Sequence, residues 1–283
     1  MVRIDLHTHS AASDGTDPPA EVMRRARAAG LDVIALTDHD TLAGHDEARA
    51  ALPAGLQLVT GMELSARLDG HSVHMLSYLP SGASPELAAE CEAIREDRVR
   101  RARAMVDRLR ELGVDITWQQ VAEIAGDATI GRPHIARAMV AAGAIRDPRD
   151  AFTPEWIGTG GRAYVSRYAL APGRAITLVR DSGGAVVLAH PGAASRGWRL
   201  GDEAIAAMAA DGLAGLEIDH PDHPPAERDR LRRLAASLGL LATGGSDDHG
   251  TLTGHRLGVE TTSPAAFEQL MAAAAGAARP TSE

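Results

Sequence analysis

The stretch RIDLHTHSAASDGT, residues 3–16, decides how the rest of the chain is read. Residues 2–7 (VRIDLH) form a short strand by pattern, and the strand runs straight into His7, Thr8 and His9. In extended backbone, residues i and i+2 face the same side, so His7 and His9 can present both rings to one ion. Asp14 follows in the next loop. Two imidazoles and a carboxylate beside an apolar strand are costly to bury unless something satisfies them.

The same pattern recurs along the chain. Apolar, β-rich runs fall at 32–38, 56–64, 72–79, 185–190, 214–219 and 240–245. Several are continuously apolar, as parallel strands buried on both faces are. Asp69-Gly70 between the third and fourth runs signals a tight turn and one antiparallel pair. Helical patterns at 18–29, 172–182, 200–211, 225–238 and 264–276 fit between the others. Seven strands with intervening helices predict an α/β fold, a distorted (β/α)7 TIM-like barrel.

Between the fourth and fifth strands lies a helical insertion, expected over 100–170, with the barrel formed by 1–99 and 171–283. Ser84-Pro85 opens a long helix ending near Gly113, with Leu87, Cys91, Ile94, Val99, Ala102, Val106 and Leu109 on one stripe. Segments VAEIAG and RPHIARAMVAAGAI are further helical pieces. Five of the eight aromatics fall in the insertion: Trp118, Phe152, Trp156, Tyr164 and Tyr168. Most are expected in its small core.

Composition narrows the chemistry. The chain has 283 residues, 45% of them hydrophobic, and a formal net charge of −9. That charge disfavours duplex DNA as a partner. One cysteine, Cys91, fits a reducing compartment, and no long apolar run or leader pattern stands out, so a cytoplasmic enzyme is expected. All 29 basic residues are arginine. Without lysine there is no Schiff base, no phosphate-loop lysine and no carbamylated lysine to bridge metals.

In a βα barrel the C-terminal strand ends converge on one face. Here those ends carry His7-Thr8-His9, Asp38-His39-Asp40, Glu63, His190, Asp219-His220 and Asp247-Asp248-His249, with His74 inside the fourth strand. One such histidine alone is usually a core residue. Together they point to metal ions, which satisfy imidazoles and carboxylates at once. They are more than one ion can hold, so a cluster of two or three is implied.

DLHTHS…SDG, LTDHDT, GMELSA, VHMLSYL, AHPGA and GSDDHG resemble, in order, the motifs of the PHP (polymerase and histidinol phosphatase) superfamily. The likeness runs to about residue 255 and is strongest to stand-alone phosphoesterases with a helical insertion: nucleoside 3′,5′-bisphosphate and 5′-nucleotide (AMP) phosphatases and a 5′→3′ oligoribonuclease. It implies three divalent ions, Mn²⁺ first and Fe²⁺ or Zn²⁺ as alternatives. The implied ligands are His7, His9, Asp14, His39, Glu63, His74, His190, Asp247 and His249, with Glu63 bridging. Glu63, Asp247 and His190 are the implied catalytic set.

The implied activity is phosphomonoester hydrolysis on AMP, pAp or the 5′ end of short single-stranded RNA, without a Ser or Cys nucleophile. Histidinol phosphate is the rival substrate, and a metal-dependent amide hydrolase or a non-catalytic module are rival classes. Expected substrate contacts are Arg132 and His134 at a helix start, Arg98 and Arg101 in an arginine-rich helix, and Asp40 and His223 near the strand ends, with support of neighbouring ligands as the other role open to Asp219, His220 and His223. The resemblance implies that the insertion caps the active site. Asp38 and Asp40 are also expected to orient neighbouring ligands, and His45, His71 and His255 to be supporting or surface residues.

Overall fold

The computed structural model describes residues 2–126, 130–166, 168–193 and 199–277. It contains one seven-stranded sheet in chain order: β1 (Ile4–Asp5), β2 (Val33–Leu36), β3 (Gln57–Leu68), β4 (His71–Tyr78), β5 (Ala185–Leu188), β6 (Gly215–Asp219) and β7 (Leu241–Gly244). Pairs β1–β2, β2–β3, β5–β6 and β6–β7 are parallel. β4 is reversed, so both of its pairings are antiparallel rather than the single one expected. The hairpin turn is the two-residue Asp69-Gly70, with φ of 48° and 84°; both residues take the left-handed backbone that such a turn needs.

The chain past β7 runs beside the chain past β1. Asp247 N–H donates to the His7 carbonyl (2.8 Å) and His9 N–H to the Asp248 carbonyl (2.9 Å), so the barrel nearly closes. Alternate residues turn inward: Ile4, Leu6, Val33, Ala35, Val59, Leu76, Tyr78, Ala185, Val187 and Ala189 pack with Leu270 and Ala274 of the last helix, Pro264–Ala277. The other face of β2, Ile34 and Leu36, packs on Val22, Met23 and Ala26 of α1 (Pro19–Ala28). A short helix α2 (His45–Ala50) was not legible, because HDEARA has no apolar period.

Two compact units divide the chain: Met1–Cys91 with Ala169–Glu283, and Glu92–Tyr168. The division falls inside α3 (Pro85–Glu111). The second unit holds α4 (Trp118–Ala125) and α5 (Arg132–Ala141) around a core that includes Met105, Val106, Leu109, Ile135 and Met139. Trp118, Trp156 and Tyr164 pack against that core, whereas Phe152 and Tyr168 are exposed. Val99 is exposed too, contrary to the expected stripe. The buried positions 87, 91, 94, 102, 105 and 109 follow steps of three and four that pass through 98, so Arg98 rather than Val99 lies on the stripe. Among the described residues no helix is long and apolar enough to cross a membrane.

Candidate metal centre

Residues past β1, β2, β5 and β7 and inside β3, β4 and β6 meet in one place, and the backbone is bent at or beside several of them. Asp40, His190 and Asp247 have φ of 53°, 30° and 49°. Non-glycine residues rarely hold that conformation, and it concentrates at functional sites. Gly245 follows β7 where a Cβ would come within 2.4 Å of the His7 Cβ, so only glycine lets the two strand ends pass.

Among the described residues, four groups of potential ligand atoms result: His7, His9, Glu63 and Asp247; His39, Glu63 and His74; His9, Asp14, His39 and His249; and His7, His190 and Glu217. His7 Nε2 and His9 Nε2 lie 3.1 Å apart. Glu63 Oε2 is 3.4 and 3.2 Å from them, and Asp247 Oδ1 is 3.3 Å from both. The centre of four atoms so spaced lies about 2 to 2.4 Å from each, the length of a metal–nitrogen or metal–oxygen bond. The donor set therefore fits a divalent ion.

Glu63 divides its oxygens between two sets. Oε2 faces His7, His9 and His39 (3.3 Å), and Oε1 faces His74 Nδ1 (2.6 Å) and His190 Nε2 (3.0 Å). Asp14 Oδ1 meets His249 Nε2 at 3.4 Å and His9 Nδ1 at 3.6 Å, and its Oδ2 meets His39 Nε2 at 3.5 Å. All nine residues expected as ligands thus converge.

The charges are strongly coupled. Burial alone pushes Glu63 up, but His39, His74 and His7 outweigh it and hold the carboxyl well below its usual range. Asp247 is likewise pulled well down by His7, His220 and His9 against burial. Burial would lower His9, yet hydrogen bonds to Asp247 and Glu63 raise it to about 10. A histidine raised from 6.5 to about 10 stabilises the metal-free fold fully below pH 6.5 and loses that contribution as pH rises through about 10. Metal ligands must shed such protons. The apparent affinity for Mn²⁺ should therefore climb about tenfold per pH unit for each proton displaced, between about pH 7 and 9. Competition titrations with a chelator check this, and a flat affinity would contradict it.

Comparison with known proteins narrows the assignment. The PHP domain family model matches residues 5–116. A 3′,5′-nucleoside bisphosphate phosphatase of Chromobacterium violaceum is 35% identical over 263 residues, 90% of each chain. The chain belongs to the PHP domain family. A 5′-3′ exoribonuclease of Haemophilus influenzae is 33% identical over 249 residues, 87% of this PHP chain and 90% of the relative. The crystal structure of a protein from Bifidobacterium adolescentis, assigned as a metal-dependent phosphoesterase, superposes with a TM-score of 0.83 at 39% identity, over 95% of this chain and 96% of that one.

Behind the converging imidazoles and carboxylates of this PHP barrel lies a layer of buried acids. Glu217 was missed in the sequence. It is fully buried, its Oε1 accepts from His7 Nδ1 (2.9 Å) and its Oε2 from His190 N–H (2.8 Å). Donation from Nδ1 leaves the His7 Nε2 lone pair for a metal. Asp5, also missed, accepts from the backbone of Ser246 (2.9 Å) and Gly258 (2.8 Å). Burial raises its carboxyl to about 6, against those hydrogen bonds. Asp38 accepts from Ser10 N–H and from the hydroxyls of Ser10 and Ser13, clamping the loop that carries Asp14.

Two residues expected to touch substrate or to support neighbouring ligands are both engaged with the main chain. Asp40 is buried and accepts from Ser65 N–H (2.6 Å) and Ser65 Oγ (2.8 Å), which fixes the loop after His39. His223 is buried; Nδ1 donates to the Ile218 carbonyl (2.9 Å) and Nε2 accepts from Gly192 N–H (3.1 Å). Its ring thereby supports the chain after His190. His45, expected as supporting or surface, is buried with Nε2 on the Gly61 carbonyl at 2.9 Å.

Within the second unit the arginines gather. Burial, and then the neighbouring Arg132, lower the Arg101 guanidinium to about 10. Arg101 lies 5.7 Å from the Tyr164 ring centroid and Arg132 lies 5.5 Å from that of Phe152. Arg98 is close enough to add to the charge on Arg101. His134 Nδ1 accepts from Gly131 N–H (3.0 Å), which leaves the neutral ring protonated at Nε2. Like charges brought together in a half-buried setting are expensive unless an anion joins them.

Proposed function

We propose that this chain hydrolyses phosphomonoesters of nucleotides: AMP, 3′,5′-bisphosphates such as pAp, and the 5′ end of short single-stranded RNA. The observation that carries the reading is Glu63, whose two oxygens face two separate sets of imidazoles. That arrangement suits a carboxylate shared by two ions, within a centre of three, Mn²⁺ in the first place. When bound, the ions supply Lewis acidity and a water of lowered pKa for in-line attack on phosphorus.

The protein's own residues do the rest. His7, His9, Asp14, His39, Glu63, His74, His190, Asp247 and His249 fix the ligand positions before any substrate arrives, which is the preorganisation such catalysis needs. Arg98, Arg101, Arg132 and His134 are assigned to the substrate's anionic groups, Arg132 as a bidentate donor. Phosphatase, exoribonuclease and metal-dependent phosphoesterase relatives at 33–39% identity support phosphate chemistry.

The test is direct. The protein is purified with Mn²⁺, its metals are counted, and phosphate release is measured from pAp, AMP, a 5′-phosphorylated trinucleotide and histidinol phosphate. Release from at least one nucleotide substrate is expected. Release from histidinol phosphate alone would overturn the substrate assignment, and ammonia or amino-acid release from amides without phosphatase activity would overturn the reaction class.

A further inference from the structure

Asp247 divides its two oxygens as sharply as Glu63 does. Oδ1 faces the ligand cluster, 3.3 Å from His7 Nε2, 3.3 Å from His9 Nε2 and 3.5 Å from His249 Nδ1. Oδ2 faces away from it, toward His220 Nε2 (3.2 Å) and Arg256 Nη2 (3.5 Å). The same Nη2 donates to the Asp247 main-chain carbonyl at 2.9 Å. Arg256 therefore holds Asp247 by both its main chain and its side chain.

That grip falls where the backbone needs it. Asp247 sits at φ of 49°, a conformation L side chains rarely adopt, with its N–H tied to the His7 carbonyl and its carbonyl taken by Arg256. Arg256 is itself returned to this point by its own N–H, which donates to Asp248 Oδ1 at 2.6 Å. Asp248 Oδ1 also accepts from Thr253 Oγ1 (3.1 Å) and Oδ2 from Gly250 N–H (3.1 Å). Residues 248–256 thus form a loop closed on Asp248 that presents one guanidinium to one metal ligand.

We propose that Arg256 is a positioning residue that, with His220, makes Asp247 a one-oxygen ligand by occupying Oδ2 and fixing the strained peptide. The inference rests on the metal-centre reading above. Two effects oppose each other here. A guanidinium beside a ligand carboxylate repels an incoming cation, so its charge alone weakens metal binding. Its hydrogen bond to the main chain and its ion pair with Oδ2 orient the carboxylate, and outer partners of ligands typically contribute about 10–100-fold to metal affinity or activity. The proposal states that orientation wins.

The opposing signs make the experiment decisive. Wild type, Arg256→Ala and Arg256→Lys are titrated with Mn²⁺ and assayed with pAp. Expected for Arg256→Ala is about 10–100-fold weaker binding of one ion, the others unchanged, and a fall in kcat larger than any change in KM. Arg256→Lys, whose ammonium can still reach the carbonyl, recovers part of the loss, and millimolar methylguanidine added to Arg256→Ala does the same. Binding by Arg256→Ala as tight as wild type, or tighter, overturns the proposal and leaves charge as the whole effect. Should Arg256→Ala fail to fold, Arg256→Lys carries the test: wild-type binding and kcat there overturn it, because the proposal needs the planar guanidinium's fixed aim at both the carbonyl and Oδ2, which a flexible ammonium does not supply. Failure of wild type to take up Mn²⁺ would instead sink the metal-centre reading.

Discussion

Glu63→Gln will give a folded protein that loads fewer ions and hydrolyses phosphomonoesters at least about 10³ times more slowly. The fold should survive because the main chain of residue 63 is held independently of its side chain. Its N–H donates to the Thr37 and Asp38 carbonyls, its carbonyl accepts from Asp40 N–H, and it pairs in register with Leu76. The side chain is a different matter. Five imidazoles, those of His7, His9, His39, His74 and His190, lie within 3.4 Å of its two oxygens. Glutamine keeps the shape, gives up the charge and replaces one acceptor oxygen with a donor. Whichever way the amide turns, one of the two imidazole sets loses its carboxylate oxygen. Metal counting and phosphate release on the same preparation decide the point. Full turnover at full occupancy would show that Glu63 does not join two ions.

What the sequence made legible, and what it hid, follows from how each residue is held. The barrel was readable because its strands are short apolar runs ending in histidines and acids, and a side chain at a strand end can hardly avoid the C-terminal face. The nine residues expected as ligands were picked out for the same reason, and they do lie together. Glu217 was not, because GLEID offers two carboxylates at i and i+2, and the terminal one, Asp219, looked like the strand-end residue. A register shift between Glu217 and Asp219 breaks the alternation. Asp219 then turns to Arg228 and Arg232, while Glu217 stays fully buried behind His7. Asp40 and His223 were left between touching substrate and supporting a neighbouring ligand for a related reason. A polar residue beside a metal ligand reads the same in sequence whether its atoms face the cleft or clamp a loop, and only the partners, Ser65 for one and Ile218 and Gly192 for the other, tell them apart.

Glu217 carries the second large effect, and its two substitutions should fail for different reasons. Glu217→Ala removes both acceptors, so the His7 Nδ1 and His190 N–H donors are left buried and unpaired, at about 1–3 kcal/mol each. That variant should melt earlier as well as bind metal poorly. Glu217→Gln keeps the volume, so its stability should suffer less. Its amide nonetheless has one oxygen for two donors. If the oxygen faces His190 N–H, the amide NH₂ faces His7 Nδ1, and the ring must accept there and move its proton to Nε2. Nε2 is the atom 3.3 Å from Asp247 Oδ1 and 3.4 Å from Glu63 Oε2, so the lone pair meant for the metal is lost. If the oxygen faces His7 instead, the NH₂ opposes His190 N–H and the turn carrying His190 is pushed from its place. Either way metal affinity should fall about 10–100-fold, the usual weight of a carboxylate behind a histidine ligand. Mn²⁺ titration and thermal melts of the two variants separate the cases. Wild-type metal affinity in Glu217→Gln would show that the His7 tautomer is set by the cluster itself and not by the acid behind it.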